Sequence, residues 1–193
     1  MIKKLTYIIL AGFIVVSCAE VTKEAQSPNI IFIMADDLGY GDVSAYNKLG
    51  KIATPNINRL VSEGIKFTDA HTPSAVCSPT RYGVLTGRYN WRTWLKSGVL
   101  WSWDDPLIDL NRTTVATILK EKGYTTANIG KWHLGLGRQK DTFGIVDVTK
   151  PLTESPLDNG FDYFLGITAS LDIPPYFYIE QDHITATAID TIQ

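Results

Sequence analysis

Three places in the sequence bring reactive side chains close together. Asp36 and Asp37 are adjacent and are followed by Leu38-Gly39, with Asp42 a few residues on. Neighbouring carboxylates offer several hard oxygens to one divalent cation. The same Asp-Asp-x-Gly pattern is also good turn chemistry, and Asp42 reads as serving the loop. In GKWHLG, residues 130–135, Lys131 and His133 flank Trp132. Residues two apart in extended backbone point to the same side, so an ammonium and a titratable imidazole would share a face. The alternative is a surface lysine beside a packed histidine. In AVCSPTRYGVLTGRY, residues 75–89, Cys77 precedes Arg81 by four positions. A helix starting just after Cys77 leaves the sulfur among free N–H groups at its positive end, and Arg81, one turn on, reaches the same spot. That is an anion site built around a sulfur. A thiolate nucleophile is one reading; a small buried hydrophobe is the other.

These groups need elements to position them. NIIFIMADDLG carries an apolar run, residues 30–34, ending at the acidic pair, which reads as a buried strand of the parallel type with its loop at the carboxyl end. TPNINRLVSEG has the grammar of a helix: Thr54 to cap it, Pro55 in the first turn, Ile57, Leu60 and Val61 on one face, and Gly64 to stop it. IKFTDA, residues 65–70, is a second short strand. A helix over 79–86 ends at Gly87, and another over 114–122 ends at Gly123. TTANIG, residues 125–130, is a strand, and 140–160 is loop without a period. Alternating strands and helices imply an α/β layer fold with a parallel sheet. Ligands in such folds bind beyond the carboxyl ends of the strands, where the acidic pair and the Lys131–His133 pair both fall.

The bulk composition sets limits. The 193 residues are 45% hydrophobic and 20% charged with a net charge of −2, enough for a domain with a core and without a field that would gather nucleic acid. Lys3 and Lys4 precede an apolar stretch too short to span a bilayer, then VVSCAE. This resembles a bacterial lipoprotein box, with residues 1–17 as signal peptide, Cys18 as the lipidated residue and 18–28 as a tether. An exported, membrane-anchored protein, periplasmic or at the cell surface, is the expectation. Lipid on Cys18 leaves Cys77 without a partner, which in an oxidising compartment flags reactivity or modification.

CSPTR followed by YGVLTGRY resembles the signature of the type I, formylglycine-dependent sulfatases, a family of arylsulfatase-like hydrolases. GYTTANIGKWHLG, residues 123–135, is similar to that family's second signature, and MADDLGYGD to its first metal-binding loop. The resemblance runs from Pro28 to about Asp172. It implies an α/β, alkaline-phosphatase-like sandwich with a largely parallel sheet, of which residues 29–193 would be an incomplete, N-terminal portion. It implies that a maturation enzyme converts Cys77 to Cα-formylglycine, whose hydrate is a gem-diol. One diol oxygen attacks the sulfur of a sulfate ester and the alcohol leaves; the second then loses its proton, sulfate departs and the aldehyde returns. By the same resemblance Asp36 and Asp37, with the oxygen at Cys77, hold Ca2+ (or Mg2+). Arg81 supports ionisation of the diol, Lys131 binds diol and sulfate oxygens, and His133 is the base. Sulfated carbohydrates or aryl sulfates are the implied substrates.

NGFDYFLGITASLDIPPYFYIEQDH, residues 159–183, resembles a stretch of carbohydrate-acting bacterial sulfatases in which Asp172 and Tyr176 would face a sugar; a folded loop is the alternative. The aromatic residues Trp91, Trp94, Trp101 and Trp103 pose the same choice between stacking on a sugar and packing. Trp132 reads as core, and His183 fits no pattern. The family's remaining metal ligands, a second catalytic histidine and a further lysine have no counterparts up to Gln193, so the 193-residue chain alone is expected to be inactive. Two other functions stay open: hydrolysis of phosphate or phosphonate esters, and a non-enzymatic lipoprotein that binds sulfated glycan.

Overall fold

The structure, a computed structural model, describes residues 27–139 and 146–186. Cys18, the signal and most of the tether lie outside them. The chain divides into two compact units, Met1–Ala35 and Asp36–Gln193.

In the first unit, residues 27–35 form neither helix nor strand. The expected buried strand over 30–34 is not there: Ile31 and Ile33 are 84% and 80% exposed. An extended segment becomes a strand only when a neighbour takes up its N–H and C=O groups. Among the described residues no strand pairs with it. The expected strand over 65–70, in the second unit, is also missing, with Ile65 and Phe67 exposed.

The second unit begins with the acidic loop and a 3-10 turn, Tyr40–Asp42. Helix α1 spans Pro55–Glu63, with Thr54 at its N-cap, Pro55 in the first turn and Gly64 at its end. The Thr54 hydroxyl does not cap the helix. It accepts from the Ser44 backbone N–H at 3.0 Å and bonds the Ser44 hydroxyl at 2.8 Å, tying α1 to the loop after the acidic pair. The intended inner face does not reach a core: Ile57 and Leu60 are exposed.

Helix α2 spans Cys77–Thr86, two residues longer at its start than the sequence suggests. Val76 is extended, so the chain turns helical at Cys77 itself, and Pro79 needs no N–H partner in the first turn. Gly87, at φ +66°, closes the helix with its N–H on the Gly83 carbonyl. Helix α3 spans Val115–Glu121. Thr114 caps it by accepting from Thr117 N at 3.1 Å, and its hydroxyl donates to the Asn159 carbonyl at 2.7 Å.

The sheet has the order β1-β2-β3-β4. Strand β1, Ala127–Lys131, pairs in parallel with β2, Tyr163–Ile167. Strands β3, Tyr178–Glu180, and β4, His183–Ile184, then add antiparallel. Parallel pairing is therefore confined to β1 and β2 among the described strands. Gly166 faces Gly130 across that pair so closely that a Cβ on Gly166 would lie 1.7 Å from the Gly130 carbonyl oxygen. Strands β2 to β4 arise beyond residue 160, where the sequence suggested no strand; at five, three and two residues they are too short to show a period.

The core joins the sheet to α2 and to the segment between α2 and α3. Phe164 and Ile179 come from the sheet, Tyr82 from α2, and Leu100, Leu107 and Ile108 from the segment. Trp132, directly after β1, is 2% exposed and meets Phe161 and Phe164 edge-on. Its indole N–H donates to the Gly135 carbonyl at 2.8 Å.

Candidate active site

The carboxyl end of β1 delivers Lys131, whose side chain is only 8% exposed. Its Nζ lies 2.9 Å from Asp36 Oδ2 and 3.1 Å from Cys77 Sγ, and it also donates to the Ser170 hydroxyl beyond the end of β2. Arg81, one turn into α2, donates through Nη1 to the Lys131 carbonyl, and its Nη2 stands 3.7 Å from Asp36 Oδ1. The Cys77 thiol approaches Asp36 Oδ1 at 3.8 Å. Residues from three distant parts of the sequence thus converge, two cations around one carboxylate and one sulfur. The hydrogen bond and charge of Lys131, joined by Arg81, hold the Asp36 carboxyl below its usual range, against a partial burial that works the other way.

Asp37 sits in the left-handed region at φ +54°, which aspartate tolerates better than most residues. Consecutive side chains in extended backbone point apart; this turn breaks the alternation. Asp36, Asp37 and Cys77 then each present a ligand atom within 4.8 Å of the others.

His133 departs from the extended geometry expected for the lysine–histidine pair. The strand ends at Lys131, and His133 takes φ +57° and is 1% exposed. Its Nε2 lies 2.6 Å from the Leu100 carbonyl. A carbonyl only accepts, so Nε2 carries the proton and Nδ1 keeps a lone pair. That Nδ1 is buried with no hydrogen-bond partner. Burial pushes the imidazole pKa down; the charges of Lys131 and Arg81 push the same way, while the Leu100 bond and the Asp36 charge oppose them.

The other sequence candidates scatter. Asp172 is exposed in a turn two residues past Ser170. Asp42 serves its loop, its carboxylate accepting from the Gly39 N–H at 3.0 Å. His183 is exposed in β4 with Nδ1 2.6 Å from Asp182. Trp91, Trp94 and Trp101 are exposed, whereas Trp103 packs against Phe177 with ring centroids 5.7 Å apart.

Three participants were invisible in the sequence. Ser170 touches Lys131. Ser78, fully buried, accepts from the Leu100 N–H at 3.1 Å. Leu100 presents its carbonyl to His133. Leu100 acts through its backbone and the other two through common serine hydroxyls, and no residue-type pattern marks them.

One α/β unit thus brings together an acidic pair, a helix-initial cysteine and a strand-end lysine. The family model for sulfatases matches residues 28–192, and the chain belongs to the sulfatase family. It is 42% identical over 162 residues to an N-acetylgalactosamine-6-O-sulfatase of Bacteroides thetaiotaomicron, covering 84% of this chain and 30% of that protein. It is 39% identical over 151 residues to human arylsulfatase A, covering 78% and 27%. A solved structure from work on glycosaminoglycan metabolism by Bacteroides thetaiotaomicron superposes with a TM-score of 0.76 at 42% identity, covering 83% of this chain and 32% of that one. The fold is the alkaline-phosphatase-like α/β fold of these sulfatases. The chain spans about a third or less of the length of the relatives it matches.

Proposed function

We propose that the whole protein containing this chain hydrolyses sulfate esters of carbohydrates at a formylglycine formed from Cys77. The observation that carries this reading is the convergence of Lys131 Nζ on Asp36 and Cys77, at 2.9 and 3.1 Å, inside motifs that resemble the family's own. In the mature enzyme the diol oxygens would stand where the Cys77 sulfur now does. The diol supplies one oxygen to attack sulfur and a second whose deprotonation expels sulfate.

The remaining work falls to the chain's own side chains. Asp36 and Asp37 fit a hard divalent cation such as Ca2+, because two carboxylates and the Cys77 position lie within reach of one centre. Such an ion supplies Lewis-acid polarisation of the sulfate oxygens. Lys131 and Arg81 offset the negative charge of the transferring group and hold the nucleophile in place. Ser170 orients the Lys131 ammonium. His133, neutral and with Nδ1 free, is the candidate base for the second hydroxyl proton.

A carbohydrate substrate is supported by likeness to an N-acetylgalactosamine-6-O-sulfatase. Cys18 is proposed as the lipid anchor of an exported protein, and a maturation enzyme as the partner that oxidises Cys77. The decisive experiment compares turnover of nitrophenyl sulfate with the matching phosphate and phosphonate esters by the whole protein, matured in its host. Preference for sulfate, together with the mass of formylglycine in the Cys77 peptide, is the expected result. Preference for phosphate overturns the sulfatase reading. An unmodified thiol with binding but no turnover points to a glycan-binding protein.

A further inference from the structure

His133 is oriented by one peptide group. The Leu100 carbonyl, 2.6 Å from Nε2, fixes which ring nitrogen carries the proton and leaves Nδ1 as a buried lone pair. A peptide is planar, with its N–H opposite its C=O, so whatever holds the N–H aims the carbonyl. The N–H of this unit belongs to Trp101, and it donates to Asp104 Oδ2 at 2.6 Å. Carboxylate, N–H, C=O and imidazole therefore lie in a row. A charged acceptor binds an N–H more strongly than a neutral one and, by polarising the peptide, strengthens the carbonyl at its other end.

Asp104 is itself held by the segment that follows His133. Its carbonyl accepts from the Leu136 N–H at 3.3 Å and from Arg138 Nη1 at 3.2 Å, and its N–H donates back to the Trp101 carbonyl at 3.1 Å. Two buried contacts steady the neighbouring backbone: Ser78 accepts the Leu100 N–H at 3.1 Å, and the His133 N–H donates to the Thr168 carbonyl at 2.9 Å. Asp104 acts on the very peptide that faces the ring. A carboxylate accepting an N–H three residues away is ordinary turn chemistry. What goes beyond a turn is the far end of the same peptide, bonded to a buried histidine that feels the charges of Lys131, Arg81 and Asp36.

We propose that Asp104 is a positioning residue: through the Leu100–Trp101 peptide it holds His133 as the Nε2–H tautomer, with Nδ1 free to accept a proton. Its consequence for catalysis rests on the sulfatase reading above. The test is nitrogen NMR of the whole protein labelled at histidine, above pH 6.5, where His133 is neutral. Its signals are assigned by their loss in His133→Gln, and kcat and KM for nitrophenyl sulfate are measured alongside. The wild type is expected to show the Nε2–H form alone. Asp104→Ala should share the proton between Nδ1 and Nε2 and lower kcat about tenfold, with KM changed by less than about twofold. Asp104→Asn keeps an acceptor oxygen and restores the single form and most of kcat. Asp105→Ala removes the adjacent acid, which faces Arg138 at 3.5 Å, and leaves both readouts at their wild-type values. A single Nε2–H form in Asp104→Ala, an unchanged kcat, or an equal change in Asp105→Ala overturns the proposal. If the whole protein turns over no sulfate ester, the sulfatase reading fails and the tautomer alone decides. A tautomer that depends on Asp104 then sustains its role, and one that does not overturns it.

Discussion

Lys131 is the residue on which the cluster depends. Its ammonium contacts the acidic loop, the start of α2 and Ser170 beyond the end of β2 together. Lys131→Ala is expected to lower kcat of the whole protein by about 10²–10³, as for loss of one preorganised electrostatic contact. The change leaves Asp36 with Arg81 at 3.7 Å and the Cys77 thiol at 3.8 Å. His133 sets a different observable. Burial and two nearby cations hold its pKa below 6.5. A base must be unprotonated, so the acid limb of the pH–rate profile is expected to have its midpoint below pH 6.5. His133→Gln should abolish that limb and cost about 10²–10⁴ in rate. An acid limb that survives unchanged in His133→Gln would assign the base elsewhere. Lys131, Cys77, Arg81 and the acidic pair were all legible in the sequence by type and spacing. The orientation of His133 was not, because it depends on the carbonyl of Leu100, a backbone group that no residue type advertises.

At the scale of elements, the β1–β2 contact places Lys131. Gly166 allows the two strands to approach, since any Cβ there would collide with the Gly130 carbonyl. Gly166→Ala is expected to separate the strands, lower the melting temperature and reduce activity together. Activity that survives at normal melting temperature would show that the close approach is dispensable. A second tie links α3 to this sheet: Asp162, just ahead of β2, accepts from Lys120 at 2.6 Å and from the Thr126 N–H at 2.9 Å. These bonds, that of Lys120 first, hold the Asp162 pKa down to about 2. Its folded pKa lies below the unfolded value of 3.8, so the unfolded chain binds more protons in between. The contribution is full above pH 4 and is lost as pH falls toward 2. In Asp162→Asn that part of the acid destabilisation should disappear, as read from melting temperature against pH. Helices were readable at this scale from the Thr-Pro start and the terminal Gly signals. The strands β2 to β4 were not, because segments of two to five residues gain their identity from pairing.

At the scale of the whole molecule, apolar surface is unevenly satisfied. Leu100, Phe164 and Ile179 are completely buried, whereas Ile31, Ile33 and Ile65 are each at least 80% exposed. In the isolated 193-residue chain, the amides of residues 30–33 are therefore expected to exchange at near free-peptide rates. Those of residues 165–167, paired on both sides, should be protected by orders of magnitude. Hydrogen-exchange mass spectrometry reads both segments at once, and protection of residues 30–33 comparable to β2 would contradict the structure.

The sequence by itself marked the candidate groups. Adjacent carboxylates, a cysteine at a helix start with an arginine one turn on, and a lysine at a strand end are local patterns, and local patterns survive in one dimension. It also marked most helix boundaries, since caps and stops act over three or four residues. Only the tertiary structure decided which groups meet and in what state. It put Asp36, Cys77 and Lys131 in contact across 95 positions of chain, gave His133 its tautomer through Leu100, and left the apolar run at residues 30–34 exposed where its pattern implied a buried strand. A strand is made by its neighbour and a buried histidine by its cavity, and both come from parts of the chain distant in sequence.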